Sequence, residues 1–289
     1  MSRCGVTKNR RTASPSRAFR APIGEVDVTE ISTDATPIGP RSKSAANKEM
    51  SRLGERLAAQ QEKLFARGTA GDPRSVLLVL QGMDTAGKDG IVKHVLGMVN
   101  PGGVSLVSFK KPTEEELAQD FLWRIEKQVP AAGRLGVFNR SQYEDVLVVR
   151  VHNLVPPGVW TQRYELINEF ERRLVDDHTT LIKCFLHVSR AEQTERLLAR
   201  LDDPTKFWKY NPGDVDERGY WAAYQQAYSA AVGRCNTDAA PWYVIPSDRK
   251  WYRNWAVAAL LVEKFEELGL SYPPAEFDVE LEKRRVRDS

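Results

Sequence analysis

Val76–Gly90 reads VLLVLQGMDTAGKDG: a five-residue apolar run, a turn with glycines at 82 and 87, and Lys88 where a helix opens. A buried strand running into a Gly-x-x-x-x-Gly-Lys bend is a phosphate cradle. Gly82 and Gly87 let the backbone turn tightly enough to aim successive N–H groups inward, Met83, Thr85 and Ala86 supply the amides between them, and Lys88 adds a mobile charge to the helix dipole. A plain glycine turn with a solvated lysine would also fit the spacing, but the strand before it and the helix after it supply the context that the motif requires. A standard loop of this type has Ser or Thr after the lysine to hold magnesium; here Asp89, Gly90 and Ile91 follow. A carboxylate beside phosphates is unfavourable unless a cation intervenes, so Asp84, inside the loop, is the expected metal ligand.

Working outward, strand and helix patterns alternate. Strands are expected at Val76–Leu80, Val104–Phe109, Leu135–Asn139, Thr180–Val188 and Trp242–Pro246. Helices are expected to begin near Gly87, Thr113, Ser141, Gln162, Arg190, Glu217 and Lys250, with an amphipathic helix over Asn47–Ala66 covering the outer surface of the sheet. Such alternation predicts an α/β fold, a parallel sheet with helices on both faces and a functional site on the loops at the carboxyl ends of the strands. The rhythm breaks between about 190 and 233, where two helical patterns follow each other with no strand between; this reads as an inserted helical lid or as an ordinary helical hairpin.

The chain has 289 residues, 42% of them hydrophobic, and a formal charge of +3. That is enough to bury one substantial core, and too near neutrality for bulk electrostatics to argue for nucleic acid. Residues 1–42 read as a disordered basic tail: Met1–Arg20 carries Arg3, Lys8, Arg10, Arg11, Arg17 and Arg20 with no acidic residue and no periodicity. Residues 43–289 read as one domain. Cys4, Cys184 and Cys235 lack the spacing of a disulfide framework or a zinc site, which suits a reducing cytoplasm, and the four histidines form no ligand-spaced cluster. No apolar run approaches the ~20 residues needed to cross a bilayer.

Further polar residues fall at strand ends. In LGVFNRSQYED (135–145), Asn139 and Arg140 close a strand, and a guanidinium there suits phosphate oxygens. Ser141 and Glu144 also match a capping box. Lys110 follows the second strand as a candidate phosphate contact, and Thr113 with Glu116 forms another box. Arg196 and Arg200 share a helix face; Lys206 and Lys209 follow in the connector around Phe207 and Trp208. Glu192, Glu195, Asp202 and Asp203 would make this an ordinary solvated face, yet beside a phosphate loop a polyanion track is the better reading. Ser247 and Asp248 can cap the next helix, while Arg249, Lys250 and Arg253 border the cleft; capping and nucleotide contact both stay open there.

With GMDTAGKDG, FNRSQYEDV and RLDDPTKFWKYNPGDVDERGYW on the page, the chain closely resembles the polyphosphate kinase 2 family from about Asn47 to Glu280. The resemblance implies a P-loop NTPase-like fold of the adenylate- or thymidylate-kinase kind, dependence on magnesium with manganese as substitute, and reversible phosphoryl transfer between inorganic polyphosphate and purine nucleotides. AMP, ADP, ATP, GMP and GDP are the implied nucleotides, with neither nucleic acid nor membrane as partner, and relatives commonly assemble as homo-oligomers, dimers or tetramers. Position by position, Asp84 and Lys88 match the family's Walker A aspartate and lysine, Asn139 and Arg140 its Walker B pair, and Arg196, Arg200, Lys206 and Lys209 its basic lid. Much of the family has Asp where Asn139 stands, so one carboxylate is missing and Glu144 is the expected compensation, as a second metal ligand. NRSQYEDV resembles the class III subgroup, which phosphorylates both mono- and diphosphates. Ile91 stands where relatives commonly have Thr. The rival reading is an ATP-dependent nucleotide or nucleoside kinase of the same fold.

Overall fold

Five strands, β1 (Ser75–Gln81), β2 (Val104–Ser108), β3 (Leu135–Asn139), β4 (Thr179–His187) and β5 (Trp242–Pro246), form an all-parallel sheet in the order β2-β3-β1-β4-β5 in a computed structural model that describes residues 13–289. All five expected strands are present; those at 135–139 and 242–246 match residue for residue. Every residue of β1 is buried, as a strand covered by helices on both faces requires. The chain leaves β1 toward the β2 edge and β4 toward the β5 edge, which opens a crevice at their carboxyl ends. Register brings the β1 and β3 ends together, Leu80 opposite Asn139, so the phosphate loop and Arg140 emerge side by side.

The helices differ from expectation in instructive places. The first long one runs Lys43–Thr69, begun by Ser42, whose Oγ accepts from Ala45 N at 3.2 Å. Its buried residues Leu53, Leu57 and Leu64 pack chiefly on the helix Lys250–Glu267 rather than on the sheet. The reciprocal box of Thr113 and Glu116 forms, but starts only one turn, Glu114–Leu117. The box expected at Ser141 does not: Ser141 Oγ accepts from Tyr143 N at 3.3 Å and from Gln81 Nε2 at 3.1 Å, and Gln142–Val146 is a 3-10 turn. The helix placed near Gln162 starts earlier, at Pro157, where proline suits a first turn. Between β4 and β5 the chain makes a helical excursion: Arg190–Leu201, the 3-10 turn Pro204–Lys209, Gly213–Glu217, the 3-10 turn Arg218–Tyr220 and Trp221–Arg234.

Residues 13–42 correct the expected disordered tail. They form a strap with a short helix, Pro15–Phe19, and bury Phe19, Ala21, Val28 and Ile38. Arg20 makes an antiparallel bridge to Tyr243, and Ala21 N donates to Trp242 O at 2.8 Å, so the strap covers the free edge of β5. Its apolar residues are irregularly spaced because the strap is mostly extended with isolated turns; periodicity has nothing to register there. Residues 1–12, with Arg3, Lys8, Arg10 and Arg11, lie outside the described residues. No helix among the described residues is long and apolar enough to cross a membrane.

Candidate active site

The phosphate loop is fastened from behind. A Cβ on Gly82 would sit 2.7 Å from Leu186 O, and one on Gly87, at φ 109°, would collide with the Arg253 guanidinium. Thr85 and Arg140 also hold left-handed backbone, φ 64° and 65°, a strain that the surroundings must enforce. Gln193 Nε2 donates to Asp84 O (2.9 Å), Arg196 Nη1 to Thr85 O (2.8 Å) and Ala86 O (3.1 Å), and Arg253 Nη1 to Ala86 O (3.0 Å). With those carbonyls occupied, the peptide N–H groups of the bend remain for an anion, except that of Ala86, which donates to Met83 O at 3.0 Å and so departs from the expectation that it binds phosphate. Lys88 is buried at the helix start, its Nζ donating to Gly82 O at 2.6 Å. Burial, then the Arg140 guanidinium, pushes Lys88 below the ordinary lysine range, while Asp84, Glu144 and Asp89 pull the other way.

In front of the loop lies a cavity of about 270 Å³, lined on the body side by Gly82, Met83, Asp84, Arg140 and Glu144, and on the excursion side by Asp214, Glu217, Arg218, Tyr224 and Tyr228. Arg140 Nη2 donates to Asp84 Oδ1 at 3.0 Å. Desolvation opposes the Arg140 charge, but Glu144 and Asp84 outweigh it and hold its proton more tightly than usual. Burial raises Tyr228, and Glu144 adds to the rise. Because Ser141 forms no box with it, Glu144 keeps its carboxylate for the cavity. Asp84 and Glu144 are hard oxygen donors on one wall, and magnesium is typically held by one or two carboxylates completed by substrate phosphates and water, so the residues fit that ion. No group of three or more His, Cys, Asp or Glu that could hold a metal ion occurs among the described residues.

The other expected residues separate. Asn139 turns to the loop's outer side, its Nδ2 donating to Asp89 Oδ1 at 2.9 Å, and Asp89 is exposed. Lys110 is exposed beyond the edge strand β2 and does not line the cavity. Of the four basic residues of the excursion, Arg196 is buried, its side chain 5% accessible: besides Thr85 and Ala86 it donates to Ser247 O (2.5 Å), Asp248 O (3.0 Å) and Glu192 Oε1 (2.8 Å). All its donor atoms are used within the protein. Arg200 Nη1 donates to Lys209 O at 2.8 Å and approaches Asp214 Oδ2 at 3.4 Å, which shapes the connector. Lys206 is half exposed and paired only with nearby Asp203, while Lys209 stacks its ammonium on Trp208, 78% exposed.

Several residues of the site escaped the sequence reading. Asp214, Glu217, Tyr224 and Tyr228 line the cavity; Tyr224 Oη donates to Glu217 Oε2 at 2.7 Å, and His152 on the body side meets the same carboxylate at 3.0 Å. Burial, with Asp84 beside it, raises Asp214 above the usual carboxylate range. Asp214 and Glu217 had only their position within the connector as a sequence signal, and Tyr224 and Tyr228, in the helix Trp221–Arg234, had none. The cap that Ser247 and Asp248 could have made is absent: the helix Lys250–Glu267 begins after Arg249 with no side-chain cap, and the Asp248 carboxylate instead accepts from Ser189 N (2.8 Å) and Thr33 Oγ1 (2.7 Å), tying the base of the excursion to the strap.

Residues 41–269 match the profile of Polyphosphate kinase 2 (PPK2). The chain is 50% identical over 255 residues, 88% of its length and 94% of the relative's, to the AMP/ADP-polyphosphate phosphotransferase of Meiothermus ruber, and 39% identical over 272 residues, 89% and 92%, to the ADP-polyphosphate phosphotransferase of Rhodopseudomonas palustris. The crystal structure of Polyphosphate Kinase 2 from Arthrobacter aurescens TC1 superposes with a TM-score of 0.93 at 48% identity, covering 96% of this chain and 98% of that one. The chain belongs to the polyphosphate kinase 2 family.

Proposed function

We propose that this chain transfers phosphoryl groups from inorganic polyphosphate to AMP and ADP, making ADP and ATP, and that it runs reversibly. The observation that carries the reading is the shared cavity: Asp84, Arg140 and Glu144 converge in front of a phosphate loop whose lysine is buried at its floor. Phosphoryl transfer asks little covalent chemistry of a protein; it asks for donor, acceptor and transferring group in line with their charge neutralised. Asp84 and Glu144 are the residues that would hold magnesium or manganese, which when bound supplies charge neutralisation at the transferring group. Lys88, released from the Gly82 carbonyl, and Arg140 then contact phosphate oxygens, the loop amides hold the acceptor's phosphates, and the excursion acts as a lid that excludes water and so suppresses hydrolysis. Lys206 and Lys209 stand where a polymer leaving the crevice would meet charge.

Use of both mono- and diphosphates follows the 50%-identical relative, whose name carries AMP and ADP, and the Glu at 144. The test is a donor assay: purified protein with magnesium and long-chain polyphosphate should convert ADP to ATP and AMP to ADP. Turnover with ATP alone as donor for a nucleoside or monophosphate would overturn the proposal in favour of an ATP-dependent kinase.

A further inference from the structure

At the opposite end of the sheet, where the strands begin, a cavity of about 600 Å³ is walled by Arg17, Arg20, Arg74, His178 and Lys264. Four different parts of the chain supply them. Arg17 and Arg20 come from the strap, Arg74 precedes β1, His178 turns into β4, and Lys264 lies in the last turn of Lys250–Glu267. Against the four permanently charged groups stand three carboxylates that line the cavity or pair with its cations, Asp238, Glu267 and Asp72, a surplus of one positive charge. Arg74 is further held by Asp72, outside the lining, and by Leu268 O. Arg20 pairs with Asp238 at 2.6 Å, but Asp238 is 87% exposed at the rim, and Lys264 pairs with half-exposed Glu267 at 2.7 Å. Exposed pairs of this kind hold weakly and give way to a ligand that offers several charges at once. Arg17 has no acidic partner within ion-pair range among the described residues.

The cations stand around a basin rather than at a point, which suits an elongated anion with regularly repeated charge better than a single phosphate. We infer that this cavity binds a phosphoanhydride chain, either a stretch of polyphosphate or the tail of a nucleoside triphosphate, at a second site remote from the crevice. Strands of seven and nine residues separate the two ends, about 20–30 Å at ~3.3 Å per residue, so a short chain cannot occupy both. The strap, which is needed to cover the β5 edge, thereby also completes a basic basin. The inference stands apart from the assignment of phosphoryl transfer, because its readout is equilibrium binding.

Full-length protein without divalent metal is titrated calorimetrically, with medium-chain polyphosphate in one arm and ATP in the other. Two classes of site are expected in at least one arm. Arg17→Glu with Arg20→Glu should remove one class, an affinity loss of about tenfold or more, while Arg17→Lys with Arg20→Lys keeps it. The single change Arg17→Glu, at an exposed side chain, should weaken the same class without touching the Arg20 contacts that help seat the strap. Lys283→Glu with Arg285→Glu applies the same change in charge on the C-terminal helix, Val279–Asp288, and should leave both isotherms unaltered. Loss of a class for polyphosphate alone identifies the free polymer as ligand, and loss for ATP identifies the nucleotide tail; either supports the second site. Isotherms that do not respond to the strap variants, or that respond equally to the C-terminal control, overturn it.

Discussion

Around the phosphate loop three buried cations spend donors on the protein's own carbonyls: Lys88 on Gly82, Arg253 on Ala86, and Arg196, from the base of the excursion, on residues 85, 86, 247 and 248. On the outer excursion Lys206 and Lys209 stand in solvent, one against a neighbouring aspartate and the other over an exposed indole. Equal formal charge thus serves two purposes. A buried guanidinium whose hydrogen bonds are satisfied fixes the shape of a loop, and removing it strands the carbonyls that it held. An exposed ammonium fixes nothing in the free protein and is therefore available to a polymeric anion, at the cost of sensitivity to salt.

The variant that strains this contrast most is Arg196→Ala. It should cost about 3–5 kcal/mol of stability and abolish turnover, because the carbonyls of Thr85, Ser247 and Asp248 lose the guanidinium, Ala86 keeps only Arg253, and the phosphate loop loses an anchor. Chemical denaturation reads the first effect. Arg196→Lys, which keeps the charge but not the fork, should recover only part of the stability; full recovery would mean that charge rather than shape matters there.

Lys88→Ala comes next. Its side chain donates only to two carbonyls of the loop in the free protein, Gly82 and, at 3.4 Å, Met83, so stability should change little while the rate falls about a thousandfold, roughly 4 kcal/mol of transition-state stabilisation. A variant with near-normal rate would remove Lys88 from the chemistry.

Glu144→Asn is a smaller, selective change. Without a box to Ser141, the carboxylate serves only the cavity, so monophosphate use should fall about tenfold or more relative to diphosphate use, read as the ratio of kcat/KM for AMP and ADP. Equal losses with both acceptors would make Glu144 a general part of the site.

Which parts of this contrast could be read from the sequence follows from the range of each signal. The β1 run and the glycine spacing are local, and β1, β3 and the phosphate loop were legible because strand, bend and helix follow within fifteen residues. Asp84, Lys88 and Arg140 were legible for the same reason, each at the carboxyl end of a readable strand. The shaping role of Arg196 was not. Spacing of Arg196 and Arg200 by four places them on one face of a helix, but the face's partners are carbonyls 51 to 111 residues away, and only the fold brings them together. At Ser141 and Glu144 the sequence offered a capping box and a metal ligand at once; the choice was made by Gln81, sixty residues earlier, which donates to the Ser141 hydroxyl. The strap was missed because single short turns bury isolated residues, Phe19 at the end of Pro15–Phe19 and Val28 at the start of the 3-10 turn Val28–Glu30, without any period.

The smallest effect should come from the exposed pair. Lys206→Ala with Lys209→Ala removes two charges that make no long-range contact in the protein, so thermal stability should stay within about half a kcal/mol, as for other surface changes. The consequence should fall on KM for polyphosphate, which rises several-fold with kcat nearly unchanged, since a lost uniform contact weakens binding without altering the chemical step. Two fewer phosphate contacts should also flatten the dependence of log KM on log salt by roughly one to two units, the single-strand value being ~0.7 per contact. A KM for polyphosphate that is unmoved at low salt would place the polymer's path elsewhere. The contrast between spent and available cations would then have to be drawn around Arg140 alone, the cavity cation whose single hydrogen bond to another side chain goes to the carboxylate of Asp84.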